Sequence, residues 1–538
     1  MSKSVIKPLI GFLLAAIGLT VVLYLFGLGF RPDVTLAPAA PDPEQLAEVE
    51  RSRNLTLNRD HPPRIQRDVD YAVGRSAPWW PKGEAPVLAQ LVQEGKLPPV
   101  EVRVGAEPVV LEGVEGTGRF GGTWQRLAVS NADVNTISWR LSGGNLVRWS
   151  PEGYPIVPHV AKSWQASPDF RSFTFFLRRG LRWSDGVPFT ADDLVYWYRD
   201  EVLFFEAAPR LLRNAAGQGA VEKVDDFTVR FVFDQPNPLF IERLASYAQN
   251  PVEYSEYCTP AHYLRQFHPR LGDQALIQRH MQAFQLSSTR AVYQRIRQWN
   301  NPDHPRLWPW VYRNYTANAP FVFVRNPYYG AVDGVGNQLP YLDRLVMDIR
   351  PNNLFGLTAS TGQLSMQDRF MRYEDHVLLM SAARPNGYSV YHWYQGTRSP
   401  FTIYPVINRR ADPERPETEW KVKLLNDRRF RQALSLAINR KDIIDALFNG
   451  QGEPAQIDPG PQSDYYNEAL FKSFTEYDPA RAGAILDSLG LTERDSDGFR
   501  KFPDGTRMVW YLNMTEFTGN DPAQFVVDDW ARVGIRCI

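Results

Sequence analysis

Cysteine is almost absent. Cys258 and Cys537 are the two in 538 residues, far apart, with no CxxC pair and no Cys/His cluster at metal-ligand spacing. That excludes a structural zinc site. It leaves two readings of the thiols, an extracytoplasmic disulfide or two unrelated groups, because pairing depends on geometry that spacing does not show. Net charge is absent too: 60 Lys and Arg balance 60 Asp and Glu. With no field to draw a polyanion, the sequence predicts no nucleic-acid partner. Lysine is scarce, 11 of the 60 cations, and the other 49 are arginine, which suits planar hydrogen bonding to carboxylates.

Signatures of catalysis are missing as well. There is no GxSxG, no HExxH, no Walker A loop and no GxGxxG between a strand and a helix. The eight histidines are dispersed, and His159, His262 and His280 have no sequence partner that would make a relay. Gly116-Thr-Gly118 and Gly121-Gly122 read as a turn entering a strand. Asp495-Ser-Asp497-Gly498 starts like a calcium loop but lacks the remaining oxygen ligands and the closing Glu. The expectation is a non-enzyme with no catalytic residue, no metal and no cofactor.

What is present is an ordinary globular mix, 43% hydrophobic and 22% charged, in a chain long enough for several domains at about 100 to 200 residues each. At the front, Leu9 to Phe30 runs without a charge behind Lys3 and Lys7. As a helix it would reach about 33 Å, enough for a hydrocarbon core of roughly 30 Å. Residues 1–30 therefore read as a signal anchor crossing the membrane through residues 9–30, with the N-terminus cytoplasmic and the body outside, on the extracytoplasmic face. Cleavage near Ala37-Pro38-Ala39, and secretion, is the alternative. Residues 31–120 are rich in proline and polar residues and read as a spacer and leader with one short helix at Pro86 to Glu94. Trp79-Trp80 in this stretch reads as an exposed interfacial pair or a local packing pair.

From Gly121 onward β-rich runs (SFTFFLRR, FTVRFVF, FVFVRN, RLVMDIR, TRMVWYLNM) alternate with amphipathic helical segments, which predicts an α/β protein with mixed sheets. Thr190-Ala-Asp-Asp193 is a capping box, so Asp192-Asp193 reads as a helix start and not as an acid/base pair. Asn426-Asp427 opens RRFRQALSLAI, and Asn439 caps RKDIIDALF, which stops at Asn449-Gly450.

The run from His159-Val-Ala-Lys-Ser-Trp164 through Trp183-Ser-Asp-Gly186 to Thr190-Ala-Asp-Asp193 resembles the segment shared by the family 5 extracellular solute-binding proteins, the binding components of ABC importers. Further matches follow in the family's order: VDDFTVRF at Val224, TPAHYLRQFHP at Thr259, FVFVRNPYYG at Phe321, Leu339-Pro-Tyr-Leu-Asp-Arg344, the Gly362 to Gln367 segment, a Val406-Ile-Asn408 strand, RFRQALSLAINRKDII, and Tyr477-Asp-Pro-Ala-Arg481. LVQEGKLPPVEVRV, Leu91 to Val104, is similar to the leader of large members.

The resemblance implies an α/β, two-lobed periplasmic-binding-protein-like fold of class II. Lobe I would span 121–350, with an extra domain at about 163–307, and lobe II 351–538. It also implies hinge closure on a solute, a peptide most often and an oligosaccharide in some members, and handover to ABC permease subunits. An anchored sensor or scaffold on the same fold is the alternative role. In the family the chain continues well beyond the helix and strand at Phe525 to Ile538, so the sequence reads as C-terminally truncated: a partial record, a split polypeptide or a broken gene. Position in the family places Ser130 and Asn131 on the first cleft loop. It places Trp393, Tyr394 and Asn408, near Tyr391, where the chain crosses between lobes. These five are the expected ligand contacts, drawn from aromatic walls and a few polar groups, with core packing for Trp393 and Tyr394 and a turn for Asn131 as the alternative.

Overall fold

The computed structural model describes residues 18–19, 65–113, 116–141, 144–150, 155–207, 209–214, 217–246, 256–314, 319–391, 401–460, 463, 465–514 and 521–538. The chain divides into two compact units, one of Met1–Phe120, Gly144–Ala261 and Pro327–Tyr341, the other of Gly121–Gly143, His262–Asn326 and Leu342–Ile538. Apart from Gly18 and Leu19, the apolar run at 9–30 lies outside the described residues. Among those described, no helix is long and apolar enough to cross a membrane.

The first unit is built on a five-stranded antiparallel sheet ordered Ala161–Ala166, Ser172–Leu177, Thr228–Phe233, Gly217–Asp225, Arg213–Asn214. Alternation along SFTFFL and TVRFVF turns Phe173, Phe175, Leu177, Val229, Phe231 and Phe233 to one buried face. Phe240, from helix Phe240–Ala245, fills the hollow between them, with ring centroids 4.8 Å from Phe173, 5.2 Å from Phe231 and 4.9 Å from Phe233. Beside this sheet, Trp183-Ser-Asp-Gly186 makes the expected tight turn. Gly186 N donates to Trp183 O at 2.8 Å, and Val187 N to Asp185 Oδ1 at 3.1 Å.

The capping box closes as predicted. Asp193 Oδ2 accepts from Thr190 N at 3.1 Å and also from Trp183 Nε1 at 3.2 Å, while Oδ1 accepts from Ala261 N at 3.0 Å. Both oxygens of this buried carboxylate are thus engaged by structure, and Asp192 beside it accepts from Lys223 Nζ at 2.8 Å, so the doubled aspartate reads as a helix start.

The spacer reading of 31–120 is corrected from residue 65 onward. Gln66–Arg67 and Val109–Leu111 form a three-stranded sheet with Ala331–Asp333. Trp79, Val100, Val104 and Val110 are buried with Val332 in one cluster. Trp79 is therefore core, edge-on to Tyr71 at 5.5 Å, and the half-buried Trp80 donates its indole N–H to Glu101 at 3.4 Å. Fully buried Arg103 fixes the segment through Glu84, Pro327 O, Pro98 O at 2.9 Å and Gln338 Oε1 at 2.7 Å. Gln338 stands 235 positions away in the chain, so proline content pointed to a tether while the partners lay out of local view.

In the second unit a four-stranded sheet runs Trp310–Tyr312, Phe321–Arg325, Arg344–Ile349, Thr123–Ala128, and its last pair is parallel, from Arg344 opposite Thr123 to Ile349 opposite Ala128. Leu345, Met347, Phe321 and Phe323 pack on Trp299, whose ring stacks on Phe323 at 5.7 Å. A second cluster gathers Phe430, Leu436, Leu486, Phe502, Met508, Val526 and Trp530. Helices Arg428–Leu436 and Arg440–Leu447 start on the side chains of Asp427 and Asn439, and the second ends through left-handed Asn449 and Gly450, all as predicted.

TRMVWYLNM departs from its expected strand. It is extended but joined to its neighbour by a single parallel bridge, Trp510 with Cys537, and three hydrogen bonds of 2.9 to 3.0 Å among Trp510, Leu512, Arg536 and Ile538. The parallel pairing ties Thr123–Ala128 to Arg344–Ile349, and residues 262–326 join that same body.

Candidate functional site

The parallel pair leads straight into the first cleft loop expected from the sequence. Thr123–Ala128 ends at Val129 and Ser130, and helix Asn131–Arg140 begins there. Ser130 acts as its N-cap: the carbonyl accepts from Asp133 N and Val134 N, both at 3.1 Å, and Oγ accepts from Asp133 N at 3.3 Å. Asp133, itself buried, ties the loop down, accepting from Val129 N at 3.2 Å and from Arg369 Nε at 2.7 Å. Ser130 and Asn131 are left exposed on top. They stand at the carboxyl end of a parallel strand pair beside a helix N-terminus, the position where open α/β sheets hold ligands.

A neighbouring segment, 365–369, completes the sheet edge, a role that sequence reasoning does not assign to it. Ser365 N donates to Gln125 O at 3.1 Å, Gln125 N to Ser365 Oγ at 3.1 Å, and Leu127 N to Gln367 Oε1 at 3.1 Å. The Gln367 amide thus does for the edge strand what a further strand's backbone would do. Asp368 pairs with Arg126 and, at 3.2 Å, with Arg140, and the Arg126 guanidinium lies 5.4 Å from the Trp124 ring. Its signal in the sequence is Gly362 to Gln367, a family match with no role attached to it.

Asn408 is exposed, but the expected Val406-Ile-Asn408 strand is corrected to a turn. Ile407 N donates to Pro405 O at 3.0 Å, Arg409 N to Val406 O at 3.4 Å, and Asn426 Nδ2 to Ile407 O at 3.0 Å. Local bonds and a side chain take the groups that a ladder would need, and Pro405 has no N–H to give. Trp393 and Tyr394 lie outside the described residues. Tyr391, just before them, is exposed.

The other candidates settle as structure. Arg536 bridges Asp495 at 3.1 Å and Asp497 at 2.8 Å, so a guanidinium occupies the carboxylates of the calcium-like loop. Cys258 and Cys537 are free, buried thiols, and burial pushes both pKa values up.

Residues 155–537 match the sequence pattern of the bacterial extracellular solute-binding proteins, family 5, in its middle region. The chain belongs to this family. It is 26% identical over 503 residues to a periplasmic alpha-galactoside-binding protein of Rhizobium meliloti, covering 84% of this chain and 66% of the relative. A probable ABC transporter-binding protein of Deinococcus radiodurans is 24% identical, over 74% of this chain and 63% of the relative. Among solved structures, an oligopeptide-binding protein OppA shares 33% identity at a TM-score of 0.62, over 85% of this chain and 71% of that one. The periplasmic binding protein MelB of Agrobacterium fabrum, solved with stachyose, shares the fold at a TM-score of 0.61 and 24% identity, over 85% of this chain and 70% of that one. The chain spans slightly under two thirds of the length of the curated relatives it matches.

Proposed function

We propose that this protein captures a peptide on the extracytoplasmic side of the membrane and hands it to the permease of an ABC importer. The observation that carries the reading is the 33% identity to an oligopeptide-binding protein over 85% of this chain. The exposed Ser130 and Asn131, held by Asp133 and Arg369 at the end of the parallel strands, supply a preformed polar loop for the solute. Two lobes, with the divisions expected from the sequence, close on the solute by a hinge. The charge-free run at 9–30 anchors the body to the membrane. No bond is made or broken in this role.

A neutral oligosaccharide is the second reading, favoured by the alpha-galactoside-binding relative, which aligns over 503 residues. Thermal shift and calorimetry with short peptides and with galactose-containing oligosaccharides test both. Binding of peptides supports the first reading, binding of sugars alone moves the assignment to the second, and no binding to either removes both. N-terminal sequencing of the mature protein tests the anchor, and a start near Ala40 would overturn it.

A further inference from the structure

The charges of the whole chain cancel, yet one stretch of it is strongly basic. Residues 261–314 hold eight arginines, no lysine or glutamate, and only two aspartates, a net charge of +6. Five of the arginines, at 265, 270, 279, 290 and 295, are exposed. Of the aspartates, Asp303 is exposed in a turn, and Asp273 caps helix Gln274–Ala283, accepting from Ala275 N at 2.9 Å and Leu276 N at 3.2 Å.

This helix and its neighbour Thr289–Ile296 turn Ile277, Val292, Tyr293 and Ile296 inward. Arg279 stands two positions from Ile277, about 200° round the helix, and so faces out. From the neighbouring helix Arg295 lays its guanidinium 5.6 Å from the Phe284 ring, and Phe284 stacks on His280 at 5.5 Å. Phe267 closes the row, edge-on to His280 at 5.1 Å. Arg295 also reaches Asn300 Oδ1 at 3.5 Å, and neither it nor Arg279 has an ion-pair partner among the described residues. Phe284 is nonetheless 43% exposed, and Leu271, in the turn before the first helix, 42%.

A helix face that serves only solvation carries charges of both signs, which pair along it. A face of one sign repels itself, and an anionic partner relieves that repulsion. The exposed Phe284, held between Arg295 and His280, adds an apolar tip to the basic ground, the combination that lies in the headgroup layer of a bilayer. The charge-free run at 9–30, read as an anchor, keeps the body within reach of such a layer. These two features favour lipid over an acidic protein.

We propose that the helix pair Gln274–Ala283 and Thr289–Ile296 rests on an anionic lipid surface, with Arg279 and Arg295 against lipid phosphates and Phe284 at the edge of the acyl chains. The guanidinium fork suits a phosphate. The inference rests on the membrane-anchored reading above and adds the face by which the body meets the bilayer.

Amide hydrogen exchange over residues 274–296 tests it, with the full chain incubated with vesicles of phosphatidylcholine alone or with about 30% phosphatidylglycerol. Exchange should be about fivefold or more slower on the anionic vesicles in low salt, and the difference should vanish near 500 mM NaCl. R279Q/R295Q should lose the difference, since each cation near an anionic surface is worth about fivefold in binding. R279K should keep it, because the surface reads charge, and Phe284→Ser should weaken it. Should the double variant fail to fold, Arg279→Gln alone, on the outward side of its helix, should shrink the difference. Equal exchange on the two kinds of vesicle, or a difference that survives the loss of Arg279 and Arg295, overturns the proposal. Protection by soluble poly-glutamate without protection by anionic vesicles also overturns it and gives the face to an acidic protein segment. Flotation with phosphatidylcholine vesicles reads the anchor separately: protein that fails to float with them removes the anchor, while slower exchange on anionic vesicles keeps the lipid-facing helices.

Discussion

Asp133 Oδ1 accepts from Arg369 Nε at 2.7 Å, joining positions 236 residues apart at the foot of the first cleft loop. The carboxylate side chain is 3% exposed and the guanidinium 15%, so neither can fall back on full solvation if the other is removed. Arg369→Met should therefore cost about 3 kcal/mol, and Asp133→Ala at least as much because it also releases Val129 N. The double variant should lose clearly less than the sum of the two. Urea denaturation of the four proteins measures this, and additive losses would mean that the pair does not hold the loop.

Gly180 and Gly105 meet backbone to backbone. A Cβ on Gly180 would lie 2.7 Å from Gly105 Cα, and its φ is +90°. Neither neighbour has a side-chain end that could swing aside. Gly180→Ala is expected to lower stability by more than about 2 kcal/mol, combining left-handed strain with a clash. Gly95→Ala, at φ +70° with open space around it, should cost about 1 kcal/mol, the strain alone. Equal losses in the two variants would show that the close approach carries no weight.

Much of this was legible locally, and its limits are physical. The Trp183 turn, the Thr190 cap, the Asn439 cap and the alternating strands around Phe173 and Phe231 depend on neighbours within a few residues, which a sequence displays. The folding of 65–113 into a core was hidden because Val109–Leu111 pairs with Ala331–Asp333 and Arg103 with Gln338. Position in the family pointed to Ser130, Asn131 and Asn408 as contacts, and all three are exposed. The Gln367 and Asp368 supports could not be inferred, since a side chain substituting for a strand leaves no periodicity.

His304 offers a pH test. It is 2% exposed, its Nδ1–H lies 2.8 Å from Pro305 O, and the Tyr263 ring packs edge-on at 5.6 Å. Burial foremost, then Arg306 and Arg297, hold its pKa well below the usual imidazole value. The unfolded chain therefore takes up a proton below about pH 6.5 that the folded protein refuses. Protons favour the unfolded state, so stability contributed by this residue is unaffected above that pH and falls as pH drops below it. The slope is at most about 1.4 kcal/mol per pH unit. Melting temperatures from pH 7.5 to 5.0 should fall less steeply for His304→Gln than for the native protein, and parallel curves would dismiss the effect.

Asn131 separates binding from folding more cleanly than its neighbour. Ser130 Oγ caps Asp133 N at 3.3 Å, so Ser130→Val removes a cap worth about 1 kcal/mol along with any contact to solute. Asn131 is exposed, and Asn131→Ala should leave stability within about 0.5 kcal/mol. A side-chain amide that hydrogen-bonds the solute at the end of the parallel strands is worth about 1 kcal/mol, so the same variant should weaken solute affinity roughly fivefold. Calorimetry with whichever solute raises the native melting temperature gives the affinity, and the melting curve of the variant gives the control. An unchanged dissociation constant in Asn131→Ala, with an unchanged melting temperature, would place the solute away from this loop. The strand-to-helix junction would then be structural and not a contact.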